Sequence, residues 1–450
     1  MLAVLVATGR MRRRLIRLYV FFRTLDFVHS MKMRLVAGMV CLVSVLQAQA
    51  EFSRRRQPPG QNTDAEISRY EKQIASGMRD VRTRLLLAKT YIQKVRESAD
   101  FSYLERASHL VDEVLRADPG NYPAMRQRSE IELERHNFAQ VLEYSEALTI
   151  LAPDDPWNWG TLGDAAMELG RYEQASTSYA RMVALRADLA SYNRLAYHRF
   201  VTGDARGAIE AMERAIAAGS PSPEHVAWCL VDLGAMQFKL GRLEEAERAF
   251  QSALATFPGY PAAHAGLGRL RAAQGKAAEA IRFFVRAQAA VPLPEVAAAL
   301  EALYTESGKP AEAARQRDLI DLIDRMEKAG GEKTNRNLAM IYADRDRKLD
   351  RAMELIEAEL KVRNDVYTSD ALAWVLFKNK QRQKAREASR QALRFETPEP
   401  AFHYHAGMIE AALGNREEAR RRLARALELN PRFDPVQAER ALSALRELER

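Results

Sequence analysis

One short pattern of glycine, alanine and an aromatic residue returns along the chain, always with the same internal spacing. Alanine follows glycine after five positions, and the aromatic residue follows alanine after four. The copies are Gly170, Ala175 and Tyr179, then Gly241, Ala246 and Phe250, then Gly275, Ala280 and Phe284, and more weakly Gly414, Ala419 and Leu423. Pro258 and Pro292 close two successive copies and lie 34 positions apart. A repeat of this length is typical of stacked structural units.

The pattern predicts pairs of helices joined by a tight turn. Residues four apart share one helical face, so the alanine and the aromatic residue belong to one apolar stripe. Glycine ends the preceding helix at low conformational cost, and proline closes the following one. A single pair cannot bury its apolar face, so neighbouring pairs must stack. We therefore predict about ten stacked pairs, followed by an amphipathic helix over 435–449.

Trp159, Leu162 and Gly163 extend the pattern upstream. There the sequence resembles the opening of the tetratricopeptide-repeat motif, W-x2-L-G-x2-Y, although Ala166 stands in place of the tyrosine. The resemblance implies an all-α fold: a right-handed superhelical α-solenoid of about ten helix-turn-helix repeats with a C-terminal capping helix. We place the solenoid at 64–433 and the capping helix at 434–450.

The N-terminus carries the pattern of a secretory signal peptide. Lys32 and Arg34 precede an apolar stretch that ends in Ala48-Gln49-Ala50, the order of parts that export requires. We predict a signal at 31–50, with Ala48 and Ala50 as the small residues of its cleavage site and Glu51 as the mature start. Residues 1–30 are predicted to be an untranslated upstream extension, and 51–63 a flexible basic linker. The alternative is an uncleaved anchor in the inner membrane.

Charge and cysteine content narrow the possible partners. The chain has a net charge of +8, but residues 1–50 hold eight Lys or Arg against Asp26 alone, so only +1 remains for the rest. A near-neutral body lacks the basic footprint of a nucleic-acid binder. Beyond position 50 only Cys229 remains, which excludes an intrachain disulfide there. We expect an exported protein, periplasmic or extracellular, that does not bind nucleic acid.

The sequence contains no motif that carries chemistry. It has no phosphate-binding loop, no nucleophile elbow, no paired-cysteine zinc motif and no H-E-x-x-H. His403 and His405 are two apart on a predicted helix, whereas helical metal ligands favour a spacing of three or four. We therefore predict a protein that is not an enzyme and uses no cofactor and no metal.

The resemblance also implies a binding surface, because proteins of this family bind mainly through the concave surface lined by the first helix of each pair. Transferring that register gives the following partner-binding candidates: Trp157, Asn193, Tyr197, Phe200, Trp228, Phe238, Arg269, Tyr367, Asp370, Trp374, Phe377, Tyr404 and Met408. The set is rich in aromatic residues, which suit binding hot spots. The carboxylate clamp of the chaperone-type members is not reproduced, since tyrosine and tryptophan stand at clamp positions.

These observations predict a scaffold or adaptor of the bacterial cell envelope that binds a partner peptide or helix in its concave groove. Two alternatives stay open. The groove could bind a glycan, or the chain could be a membrane-anchored assembly factor for an envelope complex. A third possibility is that the aromatic rings only pack between neighbouring helices.

Overall fold

A computed structural model describes residues 63–77, 80–98, 102–220, 223–329 and 334–449. Within these ranges the chain forms 22 α-helices and no strand, so the fold is the predicted all-α solenoid. The predicted extension, signal and linker lie outside the described residues, apart from Thr63. That includes the predicted cleavage residues Ala48, Ala50 and Glu51.

The helices, in chain order, are α1 (Thr63–Ala75), α2 (Val81–Ser98), α3 (Ser102–Ala117), α4 (Tyr122–Glu134), α5 (Phe138–Leu151), α6 (Pro156–Glu168), α7 (Tyr172–Leu185), α8 (Leu189–Val201), α9 (Ala205–Ala218), α10 (Pro223–Lys239), α11 (Leu243–Thr256), α12 (Pro261–Ala273), α13 (Ala277–Ala290), α14 (Pro294–Glu306), α15 (Pro310–Ala329), α16 (Arg336–Asp344), α17 (Leu349–Glu359), α18 (Val366–Lys378), α19 (Arg382–Ala392), α20 (Pro400–Ala412), α21 (Arg416–Leu429) and α22 (Pro435–Glu449). Between α2 and α21 they alternate as first and second members of helix pairs. No helix in these ranges is long and apolar enough to cross a membrane.

The chain divides into two compact units. The first contains the residues up to Arg135 together with Gln288–Leu293, and the second contains His136–Ala287 and Pro294–Arg450. In the first unit, α1–α4 share an apolar core that includes Leu87, Ile92 and Val111. Arg128 ties two of its helices together through Asp112 at 2.8 Å and Ser108 at 2.6 Å.

In the second unit, small residues let paired helices approach closely. A Cβ at Gly234 would stand 2.6 Å from the ring of Phe250, and one at Gly268 would stand 2.9 Å from the ring of Phe284. Each aromatic ring therefore fills the space that a side chain would occupy. This explains why a glycine inside the first helix, as at Gly234 and Gly268, occurs together with an aromatic residue in the second helix, since close packing leaves no void between them.

The seventh pair and the final helix differ from the regular pairs. The second helix of the seventh pair, α15, has 20 residues and is longer than the second helices of the other pairs. The glycine pair that follows it, Gly330-Gly331, lies outside the described residues. The final helix α22 buries Ala438 and Ala441 and exposes most of its other residues, the pattern that a terminal cap requires.

Candidate functional site

All thirteen predicted groove residues belong to the second unit, and the structure divides them by exposure. Asn193, Phe200, Asp370, Trp374 and Tyr404 are buried, and Trp157, Phe238, Tyr367, Phe377 and Met408 are half-buried. Tyr197, Trp228 and Arg269 are exposed. The predicted set is therefore not one continuous exposed surface, and partner contact by these residues stays a prediction.

The buried aromatic residues pack within the unit. Trp374 stacks on His405 at 4.2 Å between ring centroids and on Phe377 at 5.2 Å, and its Nε1 donates a hydrogen bond to Asp344 at 2.8 Å. The ring of Tyr404 lies 5.6 Å from that of Trp374. Trp374, Tyr404 and His405 join α16, α18 and α20 to one another and present almost no surface to a partner in this arrangement.

The same core holds a buried ion pair. Nδ1 of His405 lies 2.9 Å from a carboxylate oxygen of Asp370, and both side chains are buried. Burial alone lowers the pKa of His405, but the Asp370 carboxylate outweighs it and leaves the pKa above its usual range. Asp370 is therefore engaged by a residue of the next repeat.

Tyr197 and Trp228 differ from the buried rings. They keep 39% and 45% of their surface exposed, although both are large and largely apolar. Tyr197 lies on α8 and Trp228 on α10, the first helices of adjacent pairs. Asn193, one turn before Tyr197, places its amide 3.5 Å from the sulfur of Cys229, the residue next to Trp228. The segments of α8 and α10 that carry the two exposed rings are therefore adjacent.

The second unit closes on itself. Three carbonyl groups at the ends of first helices accept hydrogen bonds from loops about 190 residues further along the chain. The backbone N–H of Asn364 donates to Glu168 at 2.7 Å, Thr397 Oγ1 to Val201 at 2.6 Å, and Asn430 Nδ2 to Phe238 at 2.6 Å. The last carbonyl groups of a helix have no hydrogen-bond donor within that helix. The loops therefore supply donors to carbonyl groups that would otherwise lack one within the helix.

We call this closure the seam: the C-terminal ends of α6, α8 and α10 with the glycine after each, set against residues 364–366, 395–399 and 429–430. The three glycines touch the opposite loops. A Cβ at Gly203 would stand 2.6 Å from the carbonyl oxygen of Phe395, and one at Gly241 would stand 2.7 Å from that of Leu429. A Cβ at Gly170 would collide with the carbonyl of Asn364.

Charged groups strengthen the seam. The ammonium group of Lys239 forms an ion pair with Glu399 at 2.7 Å, lies 3.3 Å from the hydroxyl of Tyr367, and stands 5.4 Å from the ring of Phe200. Arg363 pairs with Glu168 at 3.3 Å. Burial lowers the pKa of Lys239, but Glu399 and Tyr367 outweigh it and leave the pKa raised. This lysine therefore stays charged.

The Lys239–Glu399 pair defines the inner face, which is the side of α8 and α10 that is turned toward α18 and α20. Positions 228, 232 and 239 lie within about 40° of one another around α10 because the helix has 3.6 residues per turn. Trp228 and Asp232 therefore share the stripe of Lys239. Trp228 is about 16 Å from Lys239 along the axis at 1.5 Å per residue. The inner face is bounded by the seam at one end. Tyr197 lies one turn from that end of α8, and Trp228 lies toward the opposite end of α10.

Asp232 was not among the predicted site residues. It is half-buried on the inner face, and burial raises the pKa of its carboxyl to about 7. In the described part of the chain this carboxylate has no hydrogen-bond donor and no ion-pair partner. Its sequence signal was its position one turn after Trp228 on the same helical stripe. The register transferred from the family passes over that position.

A second buried histidine gives the protein a testable pH dependence. Burial lowers the pKa of His403 to about 4, whereas the unfolded chain titrates near 6.5. Between these two pH values the unfolded chain binds a proton at His403 and the folded protein does not. The fold is therefore most stable above pH 6.5 and loses stability as the pH falls toward 4. Between pH 6.5 and pH 4, we expect the free energy of unfolding to fall by about 2–3 kcal/mol less in His403→Phe than in the native protein.

The measurement for His403 is urea unfolding at several pH values, comparing the variant with the native protein. His198 and His264 titrate in the same direction and Glu168 and Asp232 in the opposite one, so only the difference between the two proteins is diagnostic. His109→Phe, at an exposed histidine, is the control. Parallel curves for the native protein and His403→Phe would contradict the prediction.

Within the described ranges no group of three or more His, Cys, Asp or Glu side chains is placed to hold a metal ion. Cys229 is buried, and burial raises the pKa of its thiol to about 11. A thiol with such a pKa is protonated at neutral pH and is a poor nucleophile.

Stacked helix pairs, joined by glycine turns and crossing at small residues, define a repeat protein of the α-solenoid class. Residues 158–188, 187–259 and 237–304 each match a family model of the tetratricopeptide repeat. These matches lie within residues 158–304, and there the chain consists of tetratricopeptide repeats, as its motifs predicted. Proteins of this family generally bind other proteins and typically act as scaffolds without catalysis. None of the curated proteins matches the chain.

Several solved structures are similar to the chain. A human IFIT1 dimer with PPP-AAAA is 15% identical, with 82% of this chain and 94% of that chain covered and a TM-score of 0.43. A tetratricopeptide repeat protein from Parabacteroides merdae is 18% identical, with coverage of 58% and 99% and a TM-score of 0.33. MamA from Desulfovibrio magneticus is 21% identical, with coverage of 37% and 93% and a TM-score of 0.32. None of them bears on what this chain binds.

Proposed function

We propose that this protein is a non-enzymatic scaffold of the bacterial cell envelope, and that a partner peptide or helix binds on the inner face of its second unit. The observation that carries the proposal is the exposure of Tyr197 and Trp228 on neighbouring first helices. Large aromatic rings lose little conformational entropy on binding and bury much area, so exposed ones on a rigid surface favour a binding role.

The surrounding contacts support these two residues as the anchors. Trp374, Tyr404 and Phe200 already pack inside the unit, so a partner gains little area from them. The seam holds the C-terminal ends of α8 and α10 against residues 397–399 and Asn430 through hydrogen bonds and an ion pair. The anchors therefore stand on a preorganised surface, which lowers the entropic cost of association.

Export is the second part of the proposal, and it rests on the signal pattern at 31–50 and on a body with a single cysteine. Cell fractionation with N-terminal sequencing tests it. We expect the protein in the periplasmic or extracellular fraction with Glu51 as its first residue. Recovery in the membrane fraction with the apolar stretch retained would instead support the anchored alternative.

The binding role is tested by affinity capture from envelope extract with three baits. One is the native protein, one carries Tyr197→Ala with Trp228→Ala, and the matched control carries Ile150→Ala with Leu322→Ala. The control residues are also large, apolar and exposed, but they lie on second helices of their pairs. Circular dichroism verifies that all three baits are folded.

A protein captured by the native and control baits and lost with the inner-face variant would support the proposal. Because central anchors carry most of the binding energy, we expect affinity for the purified partner to fall at least about 30-fold in that variant, or about 2 kcal/mol. Equal capture by all three baits would contradict it. Protection of Trp228 fluorescence from quenching by free oligosaccharide would favour the glycan alternative.

A further inference from the structure

Most charged groups around the inner face are already neutralised within the protein. Glu399 pairs with Lys239 at 2.7 Å, Asp365 pairs with Arg336 at 3.0 Å, and Glu168 pairs with Arg363 at 3.3 Å. Asp232 is the exception in the described ranges. No hydrogen-bond donor and no cation of the described residues lies within bonding distance of its carboxylate. The inner face therefore carries one carboxylate without a partner in this part of the chain.

Lys239, the nearest cation on the same helix, does not form an ion pair with Asp232. Lys239 lies on the same stripe of α10, but seven residues at 1.5 Å each separate the two by about 10 Å along the axis. The lysine is also committed to Glu399. Asp232 lies instead one turn from Trp228, on the side away from the seam.

The local environment makes an unpaired carboxylate costly. Burial raises the pKa of Asp232 to about 7, and the charge of Lys239 opposes this only in part. A partly desolvated charge without a partner destabilises the folded state, and an incoming cation would relieve that cost. The position thus favours binding of a positively charged group over an anionic or apolar one.

The exposed rings of Trp228 and Tyr197 are also suited to contact a basic side chain. An aromatic face attracts an ammonium or guanidinium group, and the aliphatic part of a lysine or arginine side chain packs well on aromatic surface. Trp228 and Tyr197 have no cation over their rings among the contacts of the described residues, whereas Trp374, Tyr367 and Phe200 each have one from the protein itself. The two exposed rings and the unpaired carboxylate therefore lack the same kind of partner.

We propose that this part of the inner face receives a lysine or arginine side chain of the partner polypeptide, with Asp232 as its counter-ion and with Trp228 and Tyr197 packing against its aliphatic stem. The inference rests on the proposed function and specifies the chemistry of the partner: a segment with a basic residue flanked by positions that contact the aromatic rings. In this site an acidic group of the repeat protein would bind a basic group of the partner. In the carboxylate clamp of the chaperone-type members the charges are the other way round.

The test uses the purified full chain and a randomised library of twelve-residue peptides displayed on phage. Selection is run on the native protein, on Asp232→Asn, and on the double variant Tyr197→Ala with Trp228→Ala. Asp350→Asn is the matched control, because it makes the same chemical change at an exposed carboxylate on the second helix α17. Selected peptides are then synthesised, and their affinities are measured by fluorescence polarisation.

We expect peptides that depend on Tyr197 and Trp228 to be enriched in lysine or arginine. Their affinity should fall tenfold or more in Asp232→Asn and stay unchanged in Asp350→Asn, since loss of one partner of a close charge pair has an effect of that size. Asp232→Asn removes a desolvated charge, so its thermal midpoint should equal or exceed that of the native protein. A fall in affinity therefore cannot be ascribed to unfolding.

Two other outcomes separate the proposals. Inner-face peptides without basic enrichment, or with equal affinity for native protein and Asp232→Asn, would overturn the cation site and leave the binding role of the inner face intact. If no selected peptide depends on Tyr197 and Trp228, the proposed function itself fails, and the cation site fails with it.

Discussion

Gly241→Ala is expected to destabilise the second unit by roughly 2–4 kcal/mol, whereas Gly275→Ala should cost about 1–2 kcal/mol. Both glycines end the first helix of their pair with φ of 72°, so both variants pay the same cost for a left-handed backbone. They differ in their surroundings. A Cβ at 241 would stand 2.7 Å from the carbonyl oxygen of Leu429, while a Cβ at 275 would meet nothing within 4 Å.

Urea unfolding followed by circular dichroism measures this difference. The excess for Gly241→Ala reports the seam, because the shared backbone cost cancels in the comparison. Gly170→Ala should behave like Gly241→Ala, since it too faces a backbone carbonyl across the seam. Equal destabilisation by Gly241→Ala and Gly275→Ala would contradict the close approach of Gly241 to Leu429 in the seam.

The second large effect is expected at the seam ion pair. Lys239→Met should destabilise the protein by roughly 2–3 kcal/mol, because it leaves Glu399 unpaired in a partly buried site. Adding Glu399→Gln should restore most of that loss, since the glutamine carries no charge that needs a partner. The methionine keeps the apolar stem that packs beside Phe200 and Tyr367.

A double-mutant cycle on Lys239 and Glu399 measures this coupling directly. The prediction requires the double variant to be more stable than Lys239→Met alone. Losses that simply add across the two single variants would contradict an interaction between the two side chains, which lie 2.7 Å apart.

The repeat architecture could be read from the sequence because its causes are local. Gly234 must be small wherever the ring of Phe250 fills the same space, and both residues recur with the period of the repeat. Gly241 and Gly275 likewise share one backbone conformation. Features imposed on every unit by the same packing leave a periodic trace in the sequence.

The seam leaves no such trace. Gly203 and Gly308 look alike in the sequence, yet one faces a carbonyl from a distant loop and the other faces open space. Thr397 reaches the carbonyl of Val201 across 196 positions, and no periodicity indicates such a contact. The long-range closure depends on the cumulative rotation from one repeat to the next, which single motifs do not encode.

The candidate site was predictable only in part for the same reason. The register placed Tyr197 and Trp228 correctly on first helices, but it treated Trp374 and Tyr404 in the same way, although these rings are buried by their neighbours. The register also omitted Asp232, because the sequence does not show whether a charged residue on a helix will have a partner on the helices that face it. Burial and pairing are properties of the assembled unit.

Hydrogen exchange at residues 364–366 tests the closure of the second unit most directly. The backbone N–H of Asn364 donates to the carbonyl of Glu168, and that of Val366 donates to the hydroxyl of Tyr172 at 2.9 Å. Amides at the start of a helix have no partner within it and exchange rapidly unless another group accepts their hydrogen bonds. The seam therefore predicts exchange slowed at least about 100-fold relative to an unstructured peptide, with that protection lost in Gly170→Ala. Rapid exchange at these amides in the native protein would contradict the closed unit, and with it the inner face on which both proposals rest.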